Sequence, residues 1–316
     1  FLLMMKIKLV ELLIMKNTDN YLNKKIKLIY NSGAGQSKFK YFLDPIIEKF
    51  MDNDIEVSIF RAANNTNLYE FLKDVDKDGY SAIVVAGGDG TVNRVVNVMM
   101  KNNIKTPLGV IPAGTSNDFA RHLKMPQNFS ECIDKLLTFN VQPVDVGKVN
   151  DKYFVNICSA GLFTNVSQKV DPNLKNSLGM LSYFITAVNQ MVKFKPFEVK
   201  IETENDIYIE KVKVMLVFNG SSVGGIDAFC DNSSIQDGLL DMLIIKDCNI
   251  ADTSLLAGKL FAKNHYTDKN VIYSKEKWIK ITKTKGKCDL PDVDGDPGPN
   301  FPLEIKCVEG AINMLL

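Results

Sequence analysis

The sequence predicts two domains, an N-terminal doubly wound parallel α/β domain and a C-terminal antiparallel β-sandwich. From Ile26 to about Asn140 short apolar, β-branched runs alternate with amphipathic segments. That βαβα order belongs to a parallel sheet covered on both faces. From Val141 onward the helical signal thins, and strand-length runs follow one another across turn residues, the pattern of a sandwich. A chain of 316 residues is long enough for two cores.

In chain order, the first domain's strands are expected near 26–30, 55–60, 82–86 and 108–111, each an apolar run bounded by polar or glycine-rich residues. Its helices are expected near 38–53, 66–76, 91–102 and 129–138, where apolar residues recur at helical spacing. The sandwich strands are expected at Val144–Val149, Tyr153–Cys158, Phe197–Glu204, Ile207–Asn219, Leu239–Lys246, Val271–Tyr273, Trp278–Thr284 and Leu303–Val308. Helices over Met180–Lys193 and Ile250–Ala262 interrupt them. The division is therefore 1–25 as an extension outside the core, 26–140 as the α/β domain and 141–316 as the sandwich, with the active site expected in the cleft between the two.

Residues Phe1–Lys16 are rich in Leu, Ile and Met, but Lys6, Lys8 and Glu11 break the run. It falls short of the roughly 20 apolar residues a membrane span needs. No small-residue cleavage site follows, which argues against a signal peptide, and Met15 is the expected start of translation. Composition reads as globular, with 46% apolar and 24% charged residues. A net charge of +1 gives no electrostatic case for nucleic acid. Cys132, Cys158, Cys230, Cys248, Cys288 and Cys307 are scattered without metal-ligand spacing and read as apolar residues of a reducing compartment. The two histidines, His122 and His265, are too far apart in sequence to suggest a metal site.

The chemistry concentrates in the loops that follow strands. Ile83–Ala86 breaks at Gly87-Gly88, turns through Asp89-Gly90, and a helical pattern opens at Thr91. A strand, a glycine-rich turn and a helix N-terminus together aim backbone N–H groups at one spot and let a phosphate approach without meeting a Cβ. An aspartate there would repel a bare phosphate, so Asp89 points to Mg²⁺ between them. A second junction runs from Leu108–Pro112 into Gly114-Thr115-Ser116-Asn117-Asp118-Phe119-Ala120-Arg121, with Thr115 or Ser116 placed to cap a helix. A third runs from Ile26–Tyr30 into Asn31-Ser32-Gly33-Ala34-Gly35. Loops at the carboxyl ends of parallel strands are where open α/β sheets bind ligands.

The GGDGT segment (Gly87–Thr91) followed by GTSNDFAR (Gly114–Arg121) resembles the diacylglycerol kinase and lipid kinase family, which includes the sphingosine and ceramide kinases. GGDGT alone is shared with NAD kinases, whereas the pair is specific. Asp237–Asp241 and Val293–Asp296 extend the resemblance to the soluble bacterial members over about residues 26–316. It implies an ATP-dependent lipid kinase with an NAD kinase-like first domain, most similar to enzymes that convert diacylglycerol to phosphatidic acid. It implies nucleotide contacts from Asn31, Ser32, Gly33, Ala34 and Gly35, from Gly88, Asp89, Gly90, Thr91, Val92, Asn93 and Arg94, and from Thr115. Asp89 and Asp118 would belong to a Mg²⁺–water network, and Asp296 would be the base that takes the acceptor's proton. Ser234, Asp237 and Leu239 would hold a structural Mg²⁺.

The resemblance further implies a cytoplasmic protein in peripheral contact with the inner membrane face, and it leaves a homodimer open. Asn176–Lys195, flanked by Lys169, Lys175, Lys193 and Lys195, reads as an amphipathic helix that either faces the core or touches an anionic surface. Several positions depart from the family pattern. Ser32 stands where Pro is usual, Gln36 follows the first glycine loop where a basic residue is usual, and Ala62 replaces a common Thr. Arg94 replaces Glu, and Asp296 is a methylene shorter than the usual Glu. The competing readings are an NAD kinase-like small-molecule kinase and a non-catalytic lipid- or nucleotide-binding regulator.

Overall fold

The computed structural model describes residues 24–33, 39–63, 66–161, 195–220, 233–262 and 264–316. The chain forms two compact units. One comprises the residues up to 115 with 124–142 and 313–316, and the other 116–123 with 143–312.

In the first unit β1 (Lys25–Tyr30), β2 (Glu56–Arg61), β3 (Ala82–Gly87) and β4 (Leu108–Pro112) pair in parallel in the order β4-β3-β1-β2. Sequence explains the order. β3 is buried at every position, while β2 has no fully buried residue and exposes Glu56, Ile59 and Arg61, as an edge strand does. Burying each Val or Ile of β3 contributes about 1.5–3 kcal/mol, which fixes it at the centre.

The helices are α1 (Leu43–Met51), α2 (Leu68–Leu72), α3 (Asp89–Lys101) and α5 (Phe129–Leu137), while α4 (Asp118–His122) belongs to the second unit. Val92, Val95, Val96 and Met99 form the buried stripe of α3 at helical spacing. The segment expected as one helix over 38–53 is a 3₁₀ turn at Phe39–Tyr41 followed by α1, and the one expected over 66–76 is only the five residues of α2. Asn67 and Asn128 cap α2 and α5 with their side-chain oxygens.

The second unit is antiparallel. β9 (Ile207–Phe218) is its spine, pairing first with β8 (Phe197–Thr203) and then with both β7 (Ile157–Gly161) and β10 (Leu240–Lys246). β11 (Val271–Glu276) extends β10, and β12 (Trp278–Lys285) joins β8 to β15 (Leu303–Leu315). Both faces of the second half of β9 are buried. Val212, Met215 and Val217 enter the main core, whereas Val214, Leu216 and Phe218 pack with Leu256 and Leu260 of α6 (Ile250–Phe261). The stretch expected as one strand over Tyr153–Cys158 is broken into β6 (Lys152–Phe154), which pairs with β5 (Val141–Val149), and β7. The helix expected over Met180–Lys193 lies outside the described residues.

Candidate active site

The first unit gathers three polar loops at the carboxyl ends of its parallel strands. Helix α3 starts at Asp89, two residues earlier than the sequence pattern suggests, with Gly88 as its N-cap in extended conformation (φ −89°, ψ 178°). The glycines of this turn therefore serve close approach. A Cβ on Gly87 would stand 2.7 Å from the Thr91 Cβ, and one on Gly88 would stand 3.1 Å from the Gly114 Cα. Gly88 brings no side-chain cap to the 13-residue helix, and its carbonyl accepts the Thr91 N–H at 2.9 Å and the Val92 N–H at 3.1 Å at the positive end of the helix dipole. A Cβ on Gly90 would meet nothing within 4 Å among the described residues.

Asn31 joins this turn to the first loop. Its backbone N–H donates to Ala86 O at 3.1 Å, its Nδ2 donates to Thr91 Oγ1 at 3.1 Å, and its Oδ1 accepts from the Gly33 N–H at 2.9 Å. The Ala113 N–H donates to Gly87 O at 3.0 Å and fastens the third loop, which carries exposed Thr115. Asn31, Ser32, Gly33, Gly88, Asp89, Gly90 and Thr91 are thus held in one bonded set of loops. Val92 and Asn93 are buried, with Asn93 Oδ1 accepting from Asn97 Nδ2 at 2.8 Å. Ala34 and Gly35 lie outside the described residues.

Arg94, the charge reversal seen in the sequence, turns its guanidinium onto carbonyls. Nη1 donates to Ala63 O and Nη2 to Thr66 O, both at 2.8 Å. It clamps the loop that follows β2. Arg61, at the end of β2, donates from Nε to Ser32 Oγ at 2.9 Å, a contact that Pro at position 32 could not accept. Sequence reasoning passed over Arg61, because its contact exists only once β2 lies beside β1.

In the second unit the segment from Asp292 to Pro297 is a hairpin of β13 (Asp292–Val293) and β14 (Asp296–Pro297). Asp294 (φ 51°) and Gly295 (φ 92°) form its turn, both in the left-handed region that a two-residue hairpin turn requires. Asp294 is a structural anchor. Its carboxylate accepts the N–H groups of Val155 at 2.7 Å, Asn156 at 3.0 Å and Ile157 at 2.8 Å. Asp296, the expected base, is exposed at the start of β14. Asp292 pairs with Pro297, the residue after Asp296, across the hairpin. Burial pushes the Asp292 carboxyl above the usual range, the Gly295 N–H at 2.9 Å opposes this, and the Asp296 charge adds to it.

The second unit also contains α4. Its N-cap, Asn117, is left-handed (φ 52°), so the helix is capped by neither Thr115 nor Ser116, and Asp118 is buried at its first position. His122 of that helix packs beside Gly220, where an added Cβ would come within 2.7 Å of its Nε2.

Ser234, Asp237 and Leu239 share one loop, in which the Asp237 carboxylate already has two partners. Asp237 Oδ1 accepts from the Leu239 N–H at 3.1 Å, and Oδ2 pairs with Lys275 Nζ at 3.0 Å. The Lys275 ammonium thus supplies positive charge at the carboxylate expected to hold Mg²⁺. The loop is further fixed by buried Asp145, which accepts the Gly238 N–H at 2.7 Å and the Gly310 N–H at 2.8 Å. Among the described cysteines, burial pushes Cys132 and Cys307 up to about 12 and Cys288 up to about 11, so they remain thiols.

Residues 25–149 match the diacylglycerol kinase catalytic domain family, and residues 156–316 match the YegS C-terminal NAD kinase β-sandwich-like domain family. The chain is 32% identical over 282 residues to a diacylglycerol kinase of Bacillus subtilis strain 168, covering 89% of this chain and 92% of that one. The chain belongs to the diacylglycerol kinase family. It is 28% identical to the diacylglycerol kinase of Staphylococcus carnosus strain TM300, over 89% of this chain and 91% of the relative. A Bacillus anthracis strain Sterne crystal structure, described as a diacylglycerol kinase, superposes with a TM-score of 0.73 at 28% identity, covering 92% of this chain and 96% of that one. Membership makes the protein a lipid kinase, with the α/β and β-sandwich architecture read from the sequence.

Proposed function

We propose that this kinase transfers the γ-phosphoryl group of ATP to the free hydroxyl of diacylglycerol, giving phosphatidic acid. The observation that carries the reading is the Gly87–Thr91 turn. It presents a helix N-terminus with no side-chain cap, its N-cap glycine closed against the Gly114 loop, in a chain of this family. Asn31, Ser32 and Gly33, the first turn of α3 and Thr115 bind the triphosphate. Asp89 and Asp118 are the carboxylates that would hold Mg²⁺, which when bound neutralises phosphate charge.

In the reaction, the acceptor oxygen forms a bond to the γ-phosphorus as the β–γ bridging P–O bond breaks. ADP leaves with that electron pair, and the hydroxyl proton passes to the Asp296 carboxylate. The acceptor's acyl chains stay in the bilayer, so the protein works at the cytoplasmic face in reversible contact with it. In support, no helix among the described residues is long and apolar enough to cross a membrane.

The test is phosphate transfer from γ-labelled ATP to mixed vesicles containing diacylglycerol, ceramide, a sphingoid base or phosphatidylglycerol. Labelled phosphatidic acid from diacylglycerol vesicles alone is the expected result. Label in another lipid reassigns the acceptor, and label only in a water-soluble acceptor removes the lipid reading.

A further inference from the structure

A triphosphate brings several negative charges to a turn that already holds Asp89, so the site must supply cations close to the strand ends. Three described arginines follow the strand ends in sequence: Arg61 at the end of β2, Arg94 in α3 after β3 and Arg121 in α4 after β4, the last in the second unit. Arg94 is committed to the carbonyls of Ala63 and Thr66. Arg61 forms no ion pair among the described residues.

Its position is fixed from three sides. Arg61 pairs in register with Tyr30, the residue before the first loop. The next residue, Ala62, donates its N–H to Tyr30 O at 2.8 Å. The loop after it is closed by the Thr66 hydroxyl, which donates to Ala63 O at 2.8 Å, and by the Arg94 clamp. With Nε engaged by Ser32 Oγ, an arginine still has both terminal nitrogens to offer, and their planar fork matches phosphate oxygens.

We propose that Arg61 is a phosphate-binding residue for the donor nucleotide, aimed by Ser32 and supported by the Arg94-clamped loop. The proposal deepens the nucleotide reading given above and rests on it. It accounts for two oddities of the sequence together. Ser32 is the acceptor that orients Arg61, and Arg94 is a backbone clamp that leaves the nucleotide-facing charge to its neighbour.

The experiment measures binding of ATP and of adenosine to the full chain by calorimetry, for wild type, Arg61→Met, Arg61→Lys and Ser32→Ala. Loss of a charged hydrogen-bonding partner should weaken ATP binding about tenfold or more in Arg61→Met, with adenosine unchanged. Arg61→Lys should recover only part of that loss, because an ammonium cannot reproduce the fork. Ser32→Ala should give a smaller loss in the same direction, and it leaves the exposed arginine in place should Arg61→Met fold poorly. ATP binding equal to wild type in both Arg61→Met and Ser32→Ala would overturn the proposal. Failure of the wild-type chain to bind ATP at all would instead overturn the nucleotide reading beneath it.

Discussion

Asn31 Nδ2 donates to Thr91 Oγ1 at 3.1 Å, bonding the loop after β1 to the first turn of α3, 60 residues later in the chain. Asn31 Oδ1 also holds the Gly33 N–H, so one amide side chain sets the shape of its own loop and its distance from the helix end. Removing the acceptor with Thr91→Val should cost about 0.5–1.5 kcal/mol of stability in urea unfolding. In an Asn31→Ala background the same change should cost clearly less, since its partner is already gone. Equal costs in the two backgrounds would mean that the bond contributes nothing.

Asp294 and Asp296 are two residues apart and should respond in opposite ways. Asp296→Asn keeps the shape and removes the proton acceptor, so kcat should fall by about 10²–10⁴ with the melting temperature unchanged. Asp294→Asn turns an N–H donor toward at least one of the three backbone N–H groups that the carboxylate now accepts. It should lower stability by roughly 1.5–3 kcal/mol. A stable Asp294→Asn protein, or an active Asp296→Asn one, would reverse the assignment of roles.

Lys275 supplies the charge that the Asp237 loop needs. It also lies 3.9 Å from Asp241, whose buried carboxylate accepts from the hydroxyls of Ser233 and Tyr273. Wild type should therefore melt at the same temperature in EDTA and in millimolar Mg²⁺. Lys275→Met should lose about 1–2 kcal/mol, between the worth of an exposed and a buried pair, and should recover part of it when Mg²⁺ is added. A wild-type melting temperature that falls on chelation would show that a cation does bind there.

The legible part of the molecule was what local pattern determines. The buried run Ala82–Gly87 announced a central strand because every residue in it is apolar or small, and Gly87-Gly88 announced the turn because nothing larger fits against Thr91 and Gly114. Contacts made across strands were not legible. The Arg61–Ser32 bond depends on β2 lying next to β1, and the Lys275–Asp237 pair joins residues 38 apart, so nothing local signals either. Arg94 looked like a disruption beside a nucleotide because its sequence neighbours are the glycine turn. The side chain instead reaches the loop after β2, an outcome set by tertiary packing.

Asp292 gives the hairpin a defined pH response. Its carboxyl is raised chiefly by burial, so the folded chain holds that proton more tightly than the unfolded chain, whose value is near 3.9. Between the two values the folded state binds more protons, and stability falls as pH rises through that window. The penalty then persists at neutral pH, where the charged group stays half-buried near the Asp296 charge. Asp292→Asn keeps an oxygen for the Gly295 N–H and removes the charge. Its urea midpoint should exceed that of wild type at pH 7, and the gain should vanish below about pH 4, where wild type is also neutral at this position. A gain that is the same at both pH values would trace to packing, and a loss at pH 7 would show that the charged form is the one the hairpin stabilises.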